Sequence, residues 1–479
     1  MTIDDLLALL PIIVSATASI VVMLGIAVRR CHSRTVNLTL VGLIATLATL
    51  PLVCGIVPVQ GTALIVMDSF SVFFIAMIVV TGIVVTLLCK SYFAGLESEN
   101  EELYILLLTA ILGAIVLVSS RHFAALFLGL ETMSVSLFAM IAYTVRNDLS
   151  LEAGVKYLIL SAISSSFLLF GSALVYAQFG SLVFSDMLSL ADASAWSSVT
   201  AVGLSMVVVA LAFKLSLVPF HLWTSDVYQG APAPVTAFVA TVSKGAVFAM
   251  LLRYFANANL FQNYPVHIVL SLLAMASILA GNFLALKQND LKRLLAYSSI
   301  AHMGYLLIPF VAGVSLGKEV VIEAVSFYLV AYFITTLGAF GMISVMTKGE
   351  NEMTDIADYR GLFWKKPCSA LLITAILLSL AGIPLTAGFI GKFYIFYAGV
   401  QASLWPLIIV LIIGSGIGLY YYLRVIIAML EEPQSLKYAE EPFGAFIALT
   451  GLGVLLIIFG VYPSPLSDLI YQIARSLGV

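Results

Sequence analysis

Four ionisable side chains stand deep inside long apolar stretches of this 479-residue chain: Glu131, Lys214, Lys244 and Lys392. Glu131 lies in FLGLETMSVSLFAM (Phe127 to Met140), and Lys392 follows Pro384 by eight residues. Lys244 is about fifteen residues from either end of its stretch. A charge at the centre of a bilayer costs about 2.5–3.5 kcal/mol, so each needs a reason to be there. An ammonium taken out of water gives up its proton more readily, and a carboxylate brought beside it restores the charge. A Glu131–Lys214 pair whose separation changes would therefore load and unload a proton. A pKa change of three to four is worth roughly 4–5 kcal/mol. Carrying one charge against about 200 mV takes roughly 4.6 kcal/mol, so the magnitudes match. The bland alternative is a structural ion pair of Glu131 with one lysine, while other lysines stretch to the interface. Lys392, nearer a helix end, suits that alternative best.

Histidines extend the candidate path. His221 lies seven residues after Lys214, on the same face if the helix continues through Pro219. His302 sits in LKRLLAYSSIAHMGY (Leu291 to Tyr305), where Tyr297, Ser298 and Ser299 read as packing or water-lining groups. The competing reading for each histidine is a hydrogen-bonded packing residue. Glu152 and Lys156, four apart at the mouth of one stretch, form a pair of the usual structural kind, with a proton funnel as the alternative. His122 and His267 lie near the ends of their stretches and carry little weight. No phosphate-cradling Gly-rich loop, nucleophile elbow or HExxH stands where it could work.

The elements that must position these groups are membrane helices. Hydrophobic residues make up 62% of the chain and charged residues 10%, with a mean hydropathy of +1.11. A soluble globule carries roughly 25% charged residues, so soluble enzymes, nucleic-acid binders and disordered scaffolds are excluded. A net charge of −3 gives no nucleic-acid signal. Cys31, Cys54, Cys89 and Cys368 are scattered, so no redox centre is expected in this chain. The first apolar run begins at Leu6 behind Asp4 and Asp5 without a basic n-region, which reads as a retained helix and not as a cleaved signal.

About 20 apolar residues cross a 30 Å hydrocarbon core. Such runs number fourteen, at roughly 6–28, 36–57, 71–93, 103–119, 122–143, 152–178, 199–223, 229–257, 266–286, 292–312, 320–346, 368–397, 402–430 and 442–462. The seventh carries Pro219 and the twelfth Pro384, and each proline should break its helix. The breaks lie five spans apart, an odd offset, so two related five-helix units would sit in opposite orientations, as in inverted-repeat transporters. The expected organisation is an N-terminal three-helix segment (1–102), a first half-channel (103–257), an inverted second half-channel (266–430) and a C-terminal helix and tail (442–479). With the N-terminus outside, inside segments carry fourteen basic residues: Arg29, Arg30, Arg34, Lys90, Arg146, Lys287, Lys292, Arg293, Lys348, Arg360, Lys365, Lys366, Arg424 and Lys437. Outside segments carry Arg121, Arg253, Lys318 and Arg475, so the bias puts both termini outside.

Four segments are recognisable: FKLSLVPFHLWTSDVYQGAPAPVTAFVATVSK (Phe213 to Lys244), KRLLAYSSIAHMGY (Lys292 to Tyr305), DYRGLFW (Asp358 to Trp364) and AGIPLTAGFIGKFY (Ala381 to Tyr394). Over essentially its whole length the chain resembles the N-type membrane subunits of bacterial NADH:quinone oxidoreductase, respiratory complex I, which have mitochondrially encoded and plastid-encoded counterparts. The resemblance implies an antiporter-like proton channel of two inverted half-channels. Glu131 would be its fifth-helix glutamate, Lys214 the seventh-helix lysine beside the break, Lys244 the eighth-helix lysine and Lys392 the twelfth-helix lysine facing the exit. A lysine at 392 separates this chain from the related M-type, and the missing lateral helix from the L-type. The resemblance also implies the partners: other membrane-arm subunits, and a peripheral arm holding FMN and iron–sulfur clusters, all at a bacterial inner membrane. A subunit of a multisubunit cation/proton antiporter is the alternative. A structural spacer, whose charges only glue helices together, is the third reading.

Overall fold

The helix Ala233–Asn257, which is the eighth run, is buried along nearly its whole length and lies at the centre of the molecule. Its neighbours Leu291–Leu316 and Lys318–Met346 are buried over most of theirs, whereas Leu10–Val28, His32–Cys54 and Phe443–Val461 face outward along two thirds of their surface. An apolar exterior and a centre that carries the charges are what a lipid solvent selects. The computed structural model describes residues 2–94, 100–191, 196–347, 352–432 and 442–476. Lys348 and Lys437 of the charge tally lie outside the described residues.

Eleven helices among the described residues are long and apolar enough to cross a membrane, and three shorter apolar ones are Glu102–Val118, Ser198–Lys214 and Pro367–Ala381. Pairing among the described residues is limited to isolated bridges such as Val59 with Met67, so the fold is all-helical. Backbone groups in lipid must find partners within their own segment, and a helix supplies them.

Both proline-bearing runs are broken. Ser198–Lys214 ends at Lys214, and Leu222–Gly230 resumes after an irregular segment in which Ser216 has φ 60 and the Val218–Pro219 bond is cis. Pro367–Ala381 ends at Gly382, whose φ of 86 suits glycine. After Leu385, also at positive φ, the helix Ala387–Gln401 begins. A third irregularity had no sequence signal. Residues Val239–Ser243 form a π-helical turn immediately before Lys244. Such a turn holds extra backbone, and one added residue rotates the next turn of helix by about 100°.

Two tallied loop charges are corrected. Arg253 is 2% exposed inside the eighth helix, where it donates to both carboxylate oxygens of Asp68 at 2.7 and 2.8 Å. Lys292 is fully buried at the start of Leu291–Leu316, between the Ala231 carbonyl at 2.6 Å and Glu352 at 2.5 Å. Each reads as part of a connecting segment because its partner is distant in sequence. A carboxylate waiting in the core is what lets a cation enter it. The tail also holds more than a short extension: Ser464–Ser476 is an amphipathic helix whose Leu466 and Ile470 cluster with Phe327 of Lys318–Met346.

Candidate functional site

Lys214 ends its half-helix, and helical side chains lean toward the N-terminus, so its stem runs back into the bundle and away from the break. The amine is 3% exposed and donates to Ser134 Oγ at 2.7 Å and Ser161 Oγ at 2.6 Å. Ser134 lies three residues after Glu131 on Phe123–Ile141. Ser161 and Ser165 lie one turn apart on Asp148–Phe179, and the Ser165 hydroxyl donates to Glu131 Oε1. Glu131 and Lys214 therefore share a site without touching: no ion pair joins them, and serine hydroxyls stand between. The carboxylate is still close enough to act electrostatically on the amine. Sequence reasoning misses these serines, although the cluster Ser161, Ser164, Ser165, Ser166 in an apolar helix is a legible signal.

The row continues through tyrosine and serine. Lys214 Nζ lies 5.8 Å from the Tyr157 ring centre, and the Tyr157 hydroxyl neighbours Ser243. Ser243 is the last residue of the π turn, and Lys244 follows it. Fully buried, the Lys244 amine donates to Ser299 Oγ at 2.7 Å and lies 5.3 Å from the Tyr228 ring centre. Ser299 also shares a hydrogen bond with the Tyr332 hydroxyl at 2.6 Å. Among the described residues Lys244 therefore meets a hydroxyl network and no carboxylate. Ser299, read from sequence as lining, is its direct partner.

His302 lies one turn further along the same helix. Its Nδ1 is 2.5 Å from the Tyr328 hydroxyl and its Nε2 is 3.4 Å from that of Tyr422, which also bonds Ser298. Tyr328 and Tyr332 are one turn apart on Lys318–Met346, so one face of that helix supplies both hydroxyls. The His302 and Tyr305 rings are 5.7 Å apart, and Lys392 Nζ lies 5.5 Å from the Tyr305 ring centre.

Lys392 points back to the break. Its amine donates to the Leu380 carbonyl at 2.8 Å and the Ala381 carbonyl at 2.9 Å, the last carbonyls of Pro367–Ala381. These carbonyls are the unsatisfied, negative end of the half-helix, which a cation complements. Glu131, Lys214, Lys244, His302 and Lys392 thus fall on one row. His221 does not join it. The helix does not continue across Pro219, so the same-face argument fails, and His221 sits half-buried before Leu222–Gly230 with a buried Nδ1 that meets no hydrogen-bond partner among the described residues.

At the end of the bundle that carries the 287–290 segment, the Glu152–Lys156 pair is part of a larger network. Lys156 bonds Glu152 and Asp226, each at 2.6 Å, and Asp226 also takes Arg293 at 3.0 Å. Asp226 thereby ties the two expected half-channels together at that end. Nearby, Glu352 accepts from Lys292, from the Tyr92 hydroxyl and from the Ala233 N–H. His122 caps its own helix, accepting from the Ala124 N–H, and His267 bonds the Phe261 carbonyl. Among the described residues no three His, Cys, Asp or Glu side chains gather as a metal site would require.

Known proteins share this architecture. A family model described as the NADH:quinone oxidoreductase/Mrp antiporter transmembrane region matches residues 120–418, which hold every member of the row. NADH-quinone oxidoreductase subunit N of Methylococcus capsulatus is 51% identical over 98% of this chain and 95% of its own length. A chain of respiratory complex I from Thermus thermophilus with bound aureothin superposes with a TM-score of 0.83 at 33% identity, covering 96% of this chain and 98% of that one. A chain of the Mrp complex from Dietzia sp. DQ12-45-1b superposes with a TM-score of 0.84 over 100% of this chain and 98% of its own, at 19% identity, a likeness of fold alone. The row of lysines therefore stands in a chain that belongs to the NADH:quinone oxidoreductase/Mrp antiporter membrane-subunit family, on its NADH-quinone oxidoreductase subunit N branch.

Proposed function

We propose that this chain is a proton-translocating subunit in the membrane arm of a bacterial NADH:quinone oxidoreductase. One observation carries the reading: three lysines, a glutamate and a histidine fall on one row, buried at Lys214, Lys244 and His302 and half-buried at Glu131 and Lys392, whose gaps are filled by serine and tyrosine side chains. Hydroxyls both donate and accept, so they pass a proton without holding a charge. In this reading Glu131 governs the charge on Lys214 through Ser134, Ser161 and Ser165. Lys214 exchanges protons with Lys244 by way of Tyr157 and Ser243. Lys244, with no carboxylate partner among the described residues, hands its proton through Ser299 and Tyr332 to His302, and Lys392 releases it toward the outer side. His221, across the break from Lys214, is a side relay.

Residues 103–257 and 266–430 would form the two inverted half-channels, with both termini on the outer side of the inner membrane. Electron transfer from NADH to quinone would take place in other subunits, which hold FMN and the iron–sulfur clusters. The test is purification from native membranes, followed by identification of co-purifying subunits and assay of NADH-driven proton pumping. Flavin and iron–sulfur subunits with pumping support the proposal. Co-purification with antiporter subunits, and Na⁺/H⁺ exchange without NADH oxidation, would replace it by the antiporter reading.

A further inference from the structure

At the end of the bundle where Trp405–Leu430 stops, a cavity of about 480 Å³ opens between that helix and the segments around Asn289 and Asp355. Its size is in the roughly 300–1,000 Å³ range of small-molecule sites. Four charged residues line it: Asp355, Arg360, Arg424 and Glu431. Three are answered locally. Arg360 bonds Glu431 at 2.9 Å, and Asp355 caps a short helix by accepting from the Ala357 N–H at 3.0 Å. Arg424 is different. Its terminal nitrogens reach the Leu286 and Gln288 carbonyls, no described carboxylate lies within ion-pair distance, and its Nε is buried without a hydrogen-bond partner. Among the described residues the guanidinium meets no carboxylate and its Nε donor is unused. A buried donor left unmade costs about 1–3 kcal/mol, so the site calls for an anion with acceptor oxygens.

Two further observations give the source of that anion. Trp364, 69% exposed, anchors its indole N–H on the Leu430 carbonyl beside the cavity, and Lys365 and Lys366 follow it. An exposed tryptophan flanked by cations marks the headgroup level of a bilayer. From the cavity an apolar stripe of Ile427, Leu423, Tyr420, Gly416, Ile413 and Ile409 runs along one face of Trp405–Leu430, at alternating steps of four and three. Ile427, Tyr420, Ile413 and Ile409 are exposed, and the space beside Gly416 is open. A cavity that holds both charged and apolar residues near headgroup depth, and that runs on into an exposed apolar helix face, suits a phospholipid.

We propose that this cavity binds the phosphate headgroup of an anionic phospholipid, with Arg424 as the principal contact and an acyl chain along the 409–427 stripe. Basic pockets at the ends of membrane helices take such headgroups at about 1 kcal/mol per cation. The assay uses the assembled complex in vesicles that contain a photoactivatable phosphatidylglycerol, with crosslinks mapped to peptides of this chain. Crosslinks are expected on residues 355–366 and 420–431, displaced by excess phosphatidylglycerol but not by phosphatidylcholine. Arg424→Gln should lower them about fivefold, the equivalent of that 1 kcal/mol, and Arg424→Lys should retain most of the signal. If Arg424→Gln fails to assemble, Ile427→Trp carries the test, because it fills the rim while keeping both arginines and should lower crosslinking similarly. Unchanged crosslinking in Arg424→Gln or Ile427→Trp overturns the proposal. So does displacement by inorganic phosphate alone, which would mean a free-anion site, or crosslinking of this face to a neighbouring subunit in place of lipid.

Discussion

Replacing Lys214 by Met removes the titratable amine and keeps most of the apolar stem. The structure sets the energetic consequence. The ammonium makes two hydrogen bonds, to Ser134 and Ser161, each of the charged kind worth about 1.5–3 kcal/mol. Against this loss stands the cost of burying an ammonium, several kcal/mol, which the variant no longer bears. Ser134 keeps its bond to the Leu130 carbonyl at 2.7 Å, so one hydroxyl stays satisfied. The two sides nearly cancel, and Lys214→Met should assemble in near-normal amount. Function should behave otherwise. Between the serines of Glu131 and the Tyr157–Ser243 side the amine is the titratable link, and without it the row is cut. With pumping tightly coupled to electron transfer, NADH-to-quinone turnover and proton pumping should fall together by at least about tenfold, or roughly 1.4 kcal/mol in the limiting step. Lys214→Arg should not restore them fully, since a guanidinium stays charged at any accessible pH. Glu131→Gln should resemble the Met variant, and the double variant should be far from additive, because the two groups act through shared serines. Turnover and pumping are measured on the same vesicles, normalised to assembled complex. Full turnover with an unchanged proton-to-electron ratio in Lys214→Met would remove Lys214 from the path and leave the spacer reading.

Ser299→Ala should disconnect Lys244 from Tyr332 and lower pumping and turnover together by about tenfold, the loss of one bond to a charged donor, with assembly unchanged by native gel. Gly382→Ala forces a left-handed conformation at about 1–2 kcal/mol and places a methyl 2.8 Å from Lys392 Cδ; the flexible stem yields, so assembly should persist while pumping drops. Asp68→Asn leaves Arg253 buried and charged and should lower stability by about 3–5 kcal/mol, read as earlier thermal unfolding of the complex. Burial alone would raise the Asp68 carboxyl, but Arg253 and the hydrogen bonds from Ser71 hold it below the usual carboxylate range. Its stabilisation is therefore complete at neutral pH and lost only as pH falls through that lowered value, so unfolding midpoints of wild type and Asp68→Asn should converge only in strong acid. Cysteine at position 469, on the exposed side of the tail helix, should be labelled from the outer side of intact cells; labelling from the inner side would reverse the proposed orientation.

Much of this was legible in the sequence because lipid is an unforgiving solvent. A charge amid twenty apolar residues, or a proline in a membrane helix, stands out against its surroundings, so Glu131, the three lysines and both breaks could be found one residue at a time. Family membership was legible for a similar reason, since the blocks around Pro219, His302 and Pro384 are contiguous. What tertiary structure alone decided is which groups meet. Lys214 reaches serines 80 and 53 residues away, Lys244 reaches one 55 residues away, and helical periodicity gives a face without naming the neighbour across it. The same gap hid Arg253 and Lys292, whose carboxylates are distant in sequence, and it kept Glu131 and Lys214 from being seen as a pair joined by hydroxyls. It also left the place of His221 open, because a face extrapolated through Pro219 holds only if the helix continues, and the break removes that helix. A lysine's long stem adds the last ambiguity: Lys214 runs away from its break and Lys392 runs back to one, and the packing of the surrounding helices chose each direction.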